Sequence, residues 1–261
     1  LAQRKLFPAM LVPLFKLFVK ARLNIMIAGG MGSGKNTFLN ALLLCVGRDE
    51  NLIFVEDPAE SRVGLPDPER PDLPRPFVKV YEPRPANLEG KGEIGLDVIF
   101  EKTLRQQPDR VIVSECRSRV TAHYTLQAMN IAHPGSMSTI HAEEPEEVPG
   151  RLGELLGGSA ENLRRVAALE IILFLAQLKA GDGMPSHRRL MDICEVKKRA
   201  DGLPEVVPLY SFNFQGYDDD GTPLGELKFM GNVPAFLKKR KAAFWLTSGE
   251  RGTLGKFFGV G

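Results

Sequence analysis

The chain has 261 residues, 43% of them hydrophobic and 25% charged. That is enough to bury a core without disulfides or structural metals, and it excludes a disordered tail, a collagen-like chain and a coiled-coil rod. Lys and Arg number 34 against 32 Asp and Glu, a net charge of +2, a balance that argues against a protein whose main work is coating nucleic acid.

Its three cysteines, Cys45, Cys116 and Cys194, are scattered and odd in number. They suggest neither a disulfide framework nor a zinc knuckle, and they fit a reducing cytoplasm. The chain begins with Leu1 rather than Met, which predicts a piece of a longer protein. Residues 1–20 mix Arg4, Lys5, Lys16 and Lys20 among apolar side chains, unlike a signal peptide.

Residues 9–22 have the spacing of an amphipathic helix, with Pro13 disturbing it. Asn24-Ile25-Met26-Ile27-Ala28 is a short apolar run that ends in glycines and reads as a buried strand. After a glycine loop at 29–35, Phe38, Leu39, Leu42, Leu43 and Val46 recur at helical spacing. Leu52-Ile53-Phe54-Val55 reads as a second buried strand ending in Glu56-Asp57. Pro58, Pro66, Pro68, Pro71, Pro74 and Pro76 then forbid regular structure over 58–76.

Residues 77–81 alternate like a strand, and 97–107 look helical up to Pro108. Arg110-Val111-Ile112-Val113 is another buried strand, ending at Ser114-Glu115. A helix at 122–130, a strand at 137–140 and helices at 146–156 and 160–168 follow. The run 171–178 reads as a strand or a buried helix end. Its surroundings, 167–178, form the most apolar stretch, but Glu170 and Gln177 interrupt it and it falls short of the ~20 residues a membrane span needs. After Gly181 the texture changes to β-rich pieces at 190–196, 206–214 and 224–229, then a basic helix at 234–243. The alternation of strand and helix over 24–178 predicts an α/β fold, a parallel sheet with helices on both faces.

One motif carries chemistry. Gly29-Gly30-Met31-Gly32-Ser33-Gly34-Lys35 fits the phosphate-binding pattern G-x-x-x-x-G-K between a buried strand and a helix. Glycines let successive N–H groups curl inward as an anion nest, and the following helix adds the positive end of its dipole. Lys35 then reaches the β- and γ-phosphates of a nucleotide. The next position ordinarily carries Ser or Thr, whose hydroxyl holds Mg²⁺; here it is Asn36, with Thr37 one step later on another side of the helix. An amide oxygen is a neutral, hard ligand, so Asn36 is the candidate metal ligand of the loop.

Acids sit where such a site needs them. Glu56, Asp57 and Glu60 follow the second strand and Glu115 ends another. Beyond the carboxyl ends of parallel strands they would face a bound triphosphate. There one acid orders Mg²⁺ and its waters and another orients the attacking water. His141 closes the strand that begins near Met137; a lone histidine is ordinarily a satisfied surface or core group. Arg105, Arg110 and Arg117 read mainly as partners for nearby carboxylates, and Lys238-Lys239-Arg240-Lys241 as a solvated helix face.

Together these elements resemble the motor ATPases of type II and type IV secretion systems, in particular the Tad/Flp pilus-assembly (CpaF-like) branch. The likeness covers about residues 21–178. It includes Asn24-Ile25, the glycine loop, Glu56-Asp57 with Glu60, and Glu82-Pro83-Arg84-Pro85-Ala86-Asn87-Leu88-Glu89-Gly90-Lys91-Gly92-Glu93-Ile94. It continues through Pro108-Asp109-Arg110, Glu115 with Arg117, Leu126-Gln127-Ala128-Met129-Asn130 and the run Gly135 to Ala142.

The resemblance implies a RecA-like P-loop ATPase domain over 23–180, led by a linker helix at 1–22 and followed by a small β-rich extension at 181–261. It implies ATP and Mg²⁺ as ligands, with Gly29, Gly30, Met31, Gly32, Ser33, Gly34, Lys35, Asn36 and Thr37 around the nucleotide. It implies Asn36, Glu56, Asp57 and Glu115 about the metal, and Lys35, Glu60, Glu115 and His141 in catalysis. Glu60 would polarise water, Glu115 would act through magnesium, and His141 would sense the γ-phosphate.

It further implies a homohexamer at the cytoplasmic face of the inner membrane, working on pilus or secretion platform proteins and not on nucleic acid. The family's N-terminal domain, with its nucleotide-contacting arginines, is absent from this chain. Asn36 departs from the family's Thr, and Arg119-Val120 stands where this branch usually has Gly-Glu. Those departures keep a second reading open, a nucleotide-binding but hydrolytically impaired relative. A DNA-dependent ATPase fits less well, for want of a basic stripe with interleaved aromatics.

Overall fold

A computed structural model describes residues 1–3, 5–57, 76–131, 133–238 and 240–260. The proline-rich segment 58–75, with Glu60, lies outside the described residues, as does Lys239. The described residues build one nine-stranded sheet from β1 (Ile25–Gly29), β2 (Asn51–Val55), β3 (Phe77–Tyr81), β4 (Arg110–Val113), β5 (Met137–Ile140), β6 (Ile171–Lys179), β7 (Ser186–Lys198), β8 (Pro204–Tyr217) and β9 (Pro223–Phe229). Its order is β3-β2-β4-β5-β1-β6-β7-β8-β9. The six strands from β3 to β6 run parallel, and β7 to β9 continue the sheet antiparallel.

The predicted α/β fold is therefore present, and the β-rich extension prolongs the same sheet. The run at 171–178 is a strand. Ile171 to Leu175 pair in register with Ile25 to Gly29, and the first five residues of β6 are buried. The extension strands outrun the expected pieces because their ends carry polar residues such as the half-exposed Lys197 and the exposed Lys198. Backbone pairing holds those ends, and hydrophobic alternation does not reveal it.

Helices cover both faces. On one, α1 (Val12–Lys20) and α2 (Lys35–Leu43) bury Leu14, Phe18, Phe38 and Leu42 against β1, β6 and β7. The rings of Phe7, Phe15 and Phe38 meet there, with Phe15 and Phe38 edge-on at 5.3 Å. Pro13 does not disturb the leading helix. It lies in the first turn of α1, after a 3-10 turn at Ala9–Leu11, where a helix needs no N–H.

On the other face lie α3 (Leu96–Leu104), α4 (Arg119–Ile131), α5 (Glu147–Leu155) and α6 (Ala160–Arg165). Helix α3 stops before the predicted end, and the chain turns with Gln107 at φ 51°. Helix α4 starts earlier than predicted, where Ser118 Oγ accepts from the Thr121 N–H. The predicted basic helix is a 3-10 turn at Ala235–Lys238 followed by α7 (Arg240–Trp245). A further helix, α8 (Ser248–Lys256), was not expected, although Thr247 and Glu250 form a capping box at its start. Among the described residues no helix is long and apolar enough to cross a membrane.

Candidate functional site

Strand β1 lies between β5 and β6, wholly buried, and the chain must pass from its end into α2 within five residues. Gly29 makes the first bend at φ 146°. A Cβ there would lie 2.1 Å from the Leu175 carbonyl oxygen, so no other residue fits without moving the sheet. Gly34 closes the loop at φ 96° as the N-cap of α2.

Inside the loop, Ser33 Oγ donates to the Gly30 carbonyl at 2.9 Å. Lys35 Nζ folds back and donates to the carbonyls of Gly29 and Gly30, each at 2.9 Å. Burial lowers the Lys35 pKa from its ordinary value, and the Glu115 carboxylate works against that shift. No side chain caps α2. Its first N–H groups, which have no partner within the helix, stay available to an anion at the positive end of the dipole.

These groups open on a cleft of ≈ 320 Å³ lined by Gly32, Gly34, Lys35, Asn36, Thr37, Glu115, Thr139 and Arg188. Strand order explains the gathering. Glu115 follows β4, Thr139 is in β5 next to β1, and Arg188 is in β7, one strand beyond β6. Thr139 Oγ1 donates to the Ser114 carbonyl at 2.7 Å, and the Cys116 N–H donates to the Thr139 carbonyl at 2.7 Å. The two bonds clamp the backbone on either side of Glu115. Cys116 is buried between Thr125 and Ser138, and burial pushes its thiol pKa up, so it is no nucleophile.

Glu115 also lines a second cleft of ≈ 330 Å³ with Cys116, Arg117, His141, Arg151, Glu154 and Leu155. His141 Nε2 lies 3.4 Å from Glu143 Oε1 there.

The structure does not gather every expected residue. Glu56 is buried at the end of β2, and Asp57 pairs with Arg117 at 2.5 Å. Strand β2 lies three positions from β1, roughly 14 Å at the usual strand spacing, and neither acid lines the 320 Å³ cleft. Gly30 and the exposed Met31 border another cleft, with Glu143, Phe174 and Gln177. Ser33 is buried and braces the loop. Thr37, expected to face elsewhere, lines the 320 Å³ cleft beside Asn36, because both belong to the uncapped first turn.

Thr139 and Arg188 were missed as site residues. Thr139 stands within a run whose His141 drew the attention. Arg188 is 156 residues from its partner Gly32, and no local pattern marks it.

The arrangement fits a polyphosphate: a loop whose Gly29, Gly32 and Gly34 hold positive φ, an uncapped helix end, and a lysine that donates, among the described residues, to neutral carbonyls. Among the described residues no group of three His, Cys, Asp or Glu could hold a metal alone. The donors present, the Asn36 amide, the Thr37 hydroxyl and the Glu115 carboxylate, suit magnesium that brings its own waters and phosphate oxygens.

The sequence and the fold also have counterparts among known proteins. A family model described as type II/IV secretion system protein matches residues 2–180. The chain is 36% identical over 214 residues to a putative conjugal transfer protein of Mycobacterium tuberculosis (strain ATCC 25618 / H37Rv), covering 80% of this chain and 56% of that protein. It is 35% identical over 124 residues to the type IV secretion system protein VirB11 of Bartonella henselae, 48% of this chain and 32% of that one. The chain thus spans about half the length, or less, of these relatives.

Among solved structures it shares its fold with the VirB11 ATPase of Brucella suis, solved in complex with sulphate. The TM-score is 0.51 at 20% identity, over 69% of this chain and 50% of that one. It also shares its fold with the pilus retraction motor PilT with bound ADP. Here the TM-score is 0.52 at 20% identity, over 76% of this chain and 53% of that one.

Proposed function

Because the chain belongs to the type II/IV secretion system protein family, we propose that it binds ATP with magnesium in the 320 Å³ cleft and hydrolyses it to ADP and phosphate. The observation that carries this reading is the convergence of Lys35, Asn36, Thr37 and Glu115 on one cleft around a glycine loop. The sulphate in the solved VirB11 structure and the ADP in that of PilT support it.

Lys35 exchanges two neutral carbonyls for the β- and γ-phosphate oxygens, where its full charge is favoured. The first turn of α2 donates N–H groups to the same phosphates. Asn36, Thr37 and Glu115 would hold magnesium, which supplies neutralisation of the charge that gathers on the phosphates. Glu115 lines both this cleft and that of His141, so it would accept from the attacking water and would link a change at the phosphates to His141. Glu60, which lies outside the described residues, remains proposed as the acid that polarises water, while Glu56 and Asp57 do not line the cleft and are given no contact with the metal.

At the level of the whole protein, we propose a homohexameric motor at the cytoplasmic face of the inner membrane that drives pilus assembly or secretion. The residues from Glu82 to Ile94 favour the Tad/Flp branch. Asn36 supports the alternative of a nucleotide-binding subunit with impaired hydrolysis.

The test is Glu115→Gln, with ATP binding and phosphate release measured on the same preparation. Retained binding with turnover reduced roughly 10²–10³-fold is expected. Normal hydrolysis in the variant would sink the role given to Glu115. A wild-type chain that binds ATP without turnover would favour the impaired reading or point to the arginines of the family's N-terminal domain.

A further inference from the structure

Arg188 belongs to the antiparallel extension, beyond the last residue of the family match, yet it reaches the phosphate loop. The sheet register dictates this. Gly29, the end of β1, pairs with Leu175, and β6 runs on past it to Gln177, which pairs with Arg188. The overhang of β6 lifts Arg188 to the height of the loop, one strand to the side. Gln177 Nε2 donates to Ser186 Oγ at 2.9 Å and ties the two strands at that level.

From there Arg188 Nε donates to the Gly32 carbonyl at 2.6 Å. Its Cδ would lie only 3.1 Å from a Cβ on Gly34, so the missing side chain of Gly34 is what admits the arginine stem. The side chain lines the same cleft as Lys35, Asn36 and Glu115. Among the described residues it has no carboxylate partner, and Nε alone of its guanidinium nitrogens donates to the protein. A planar cation with free N–H groups beside a polyphosphate cradle is built for bidentate contact with phosphate oxygens.

We infer that Arg188 is a nucleotide-contacting residue that the C-terminal extension supplies in cis, leaving the Gly32 carbonyl to bind the outer phosphates of ATP. The inference rests on the reading of the cleft as the ATP site. It makes the extension part of the site.

The experiment titrates ATP, ADP and AMP by calorimetry against the wild-type chain, Arg188→Gln, Arg188→Lys and Lys35→Ala, with melting of the nucleotide-free proteins alongside. Loss of a charge-assisted contact is expected to weaken ATP roughly 10–100-fold in Arg188→Gln. AMP should be unaffected, melting should be unchanged, and Arg188→Lys should recover part of the loss. If Arg188→Gln weakens AMP and ATP alike and lowers the melting temperature, the residue is only a latch on the loop and the inference is overturned. Unchanged ATP affinity in Arg188→Gln, with affinity lost in Lys35→Ala, overturns the inference and leaves the cleft reading intact. ATP binding indifferent to both changes overturns the two together.

Discussion

The two edges of the parallel sheet hold similar charges in opposite ways. At the amino ends of the strands, Arg110 is 1% exposed. It donates to Glu50 from Nε at 2.7 Å and Nη2 at 3.0 Å, and to the Val19 carbonyl at 2.9 Å. Arg22 joins the same Glu50 at 3.0 Å and Asp109 at 3.2 Å, and Asp109 accepts from the Asn51 N–H. Asn24 completes this edge, bonded to Met129, Ala168 and Gly135. At the carboxyl ends, Lys35 and Arg188 rest on neutral carbonyls of the loop and face an open cleft.

A buried charge paired with an opposite charge is expensive to separate, so it locks α1, β2, β4 and β5 in register. A cation that rests on a carbonyl changes partners easily when an anion arrives. The same residue types thus serve structure at one edge and exchange at the other.

The largest expected effect comes from breaking the closed edge. Glu50→Ala leaves Arg110 buried without its counter-charge and should cost roughly 3–5 kcal/mol of stability. For a chain of this size that lowers Tm by about 10 °C, measurable by thermal and urea unfolding, with ATP affinity of the folded fraction unchanged. A loss below about 1 kcal/mol would mean that this network contributes no more than a surface ion pair.

Next is Lys35→Ala at the open edge. It removes a half-buried cation whose charge burial disfavours, so stability should stay within about 0.5 kcal/mol of wild type. Turnover should fall roughly 10²–10³-fold. A variant that unfolds as readily as Glu50→Ala would erase the contrast between the edges.

The smallest effect sharpens the metal side of the open edge. Asn36→Thr should raise the ATPase rate by ~10–100-fold, the scale of support around a metal, and most of all at low Mg²⁺. The check is the rate against Mg²⁺ concentration for both forms. Superimposable curves would mean that Asn36 serves as well as threonine, or that Thr37, lining the same cleft, already supplies the hydroxyl.

The sequence by itself determined what depends on near neighbours. The β1–loop–α2 unit was legible because an apolar run, glycines at positive φ and a helical repeat are local requirements, all met within twenty residues. The position of Glu115 at a strand end was legible, since parallel strands deliver such groups to one edge, whereas His141 read by itself as an ordinary histidine and was singled out only by the family resemblance. Even α8 was written locally, in Thr247 and Glu250, and went unread.

Only the tertiary structure decided which strand ends meet. Strand order sets Glu115 and Thr139 on the cleft of Lys35 and leaves Glu56 and Asp57 apart from it, and chain position does not encode that order. It also made Glu50, Arg110 and Arg22 one network, and it brought Arg188 across 156 residues to Gly32 through the overhang of β6. These contacts arise from backbone pairing between strands far apart along the chain. The energy of such pairing belongs to the sheet as a whole, so no local pattern of side chains announces it.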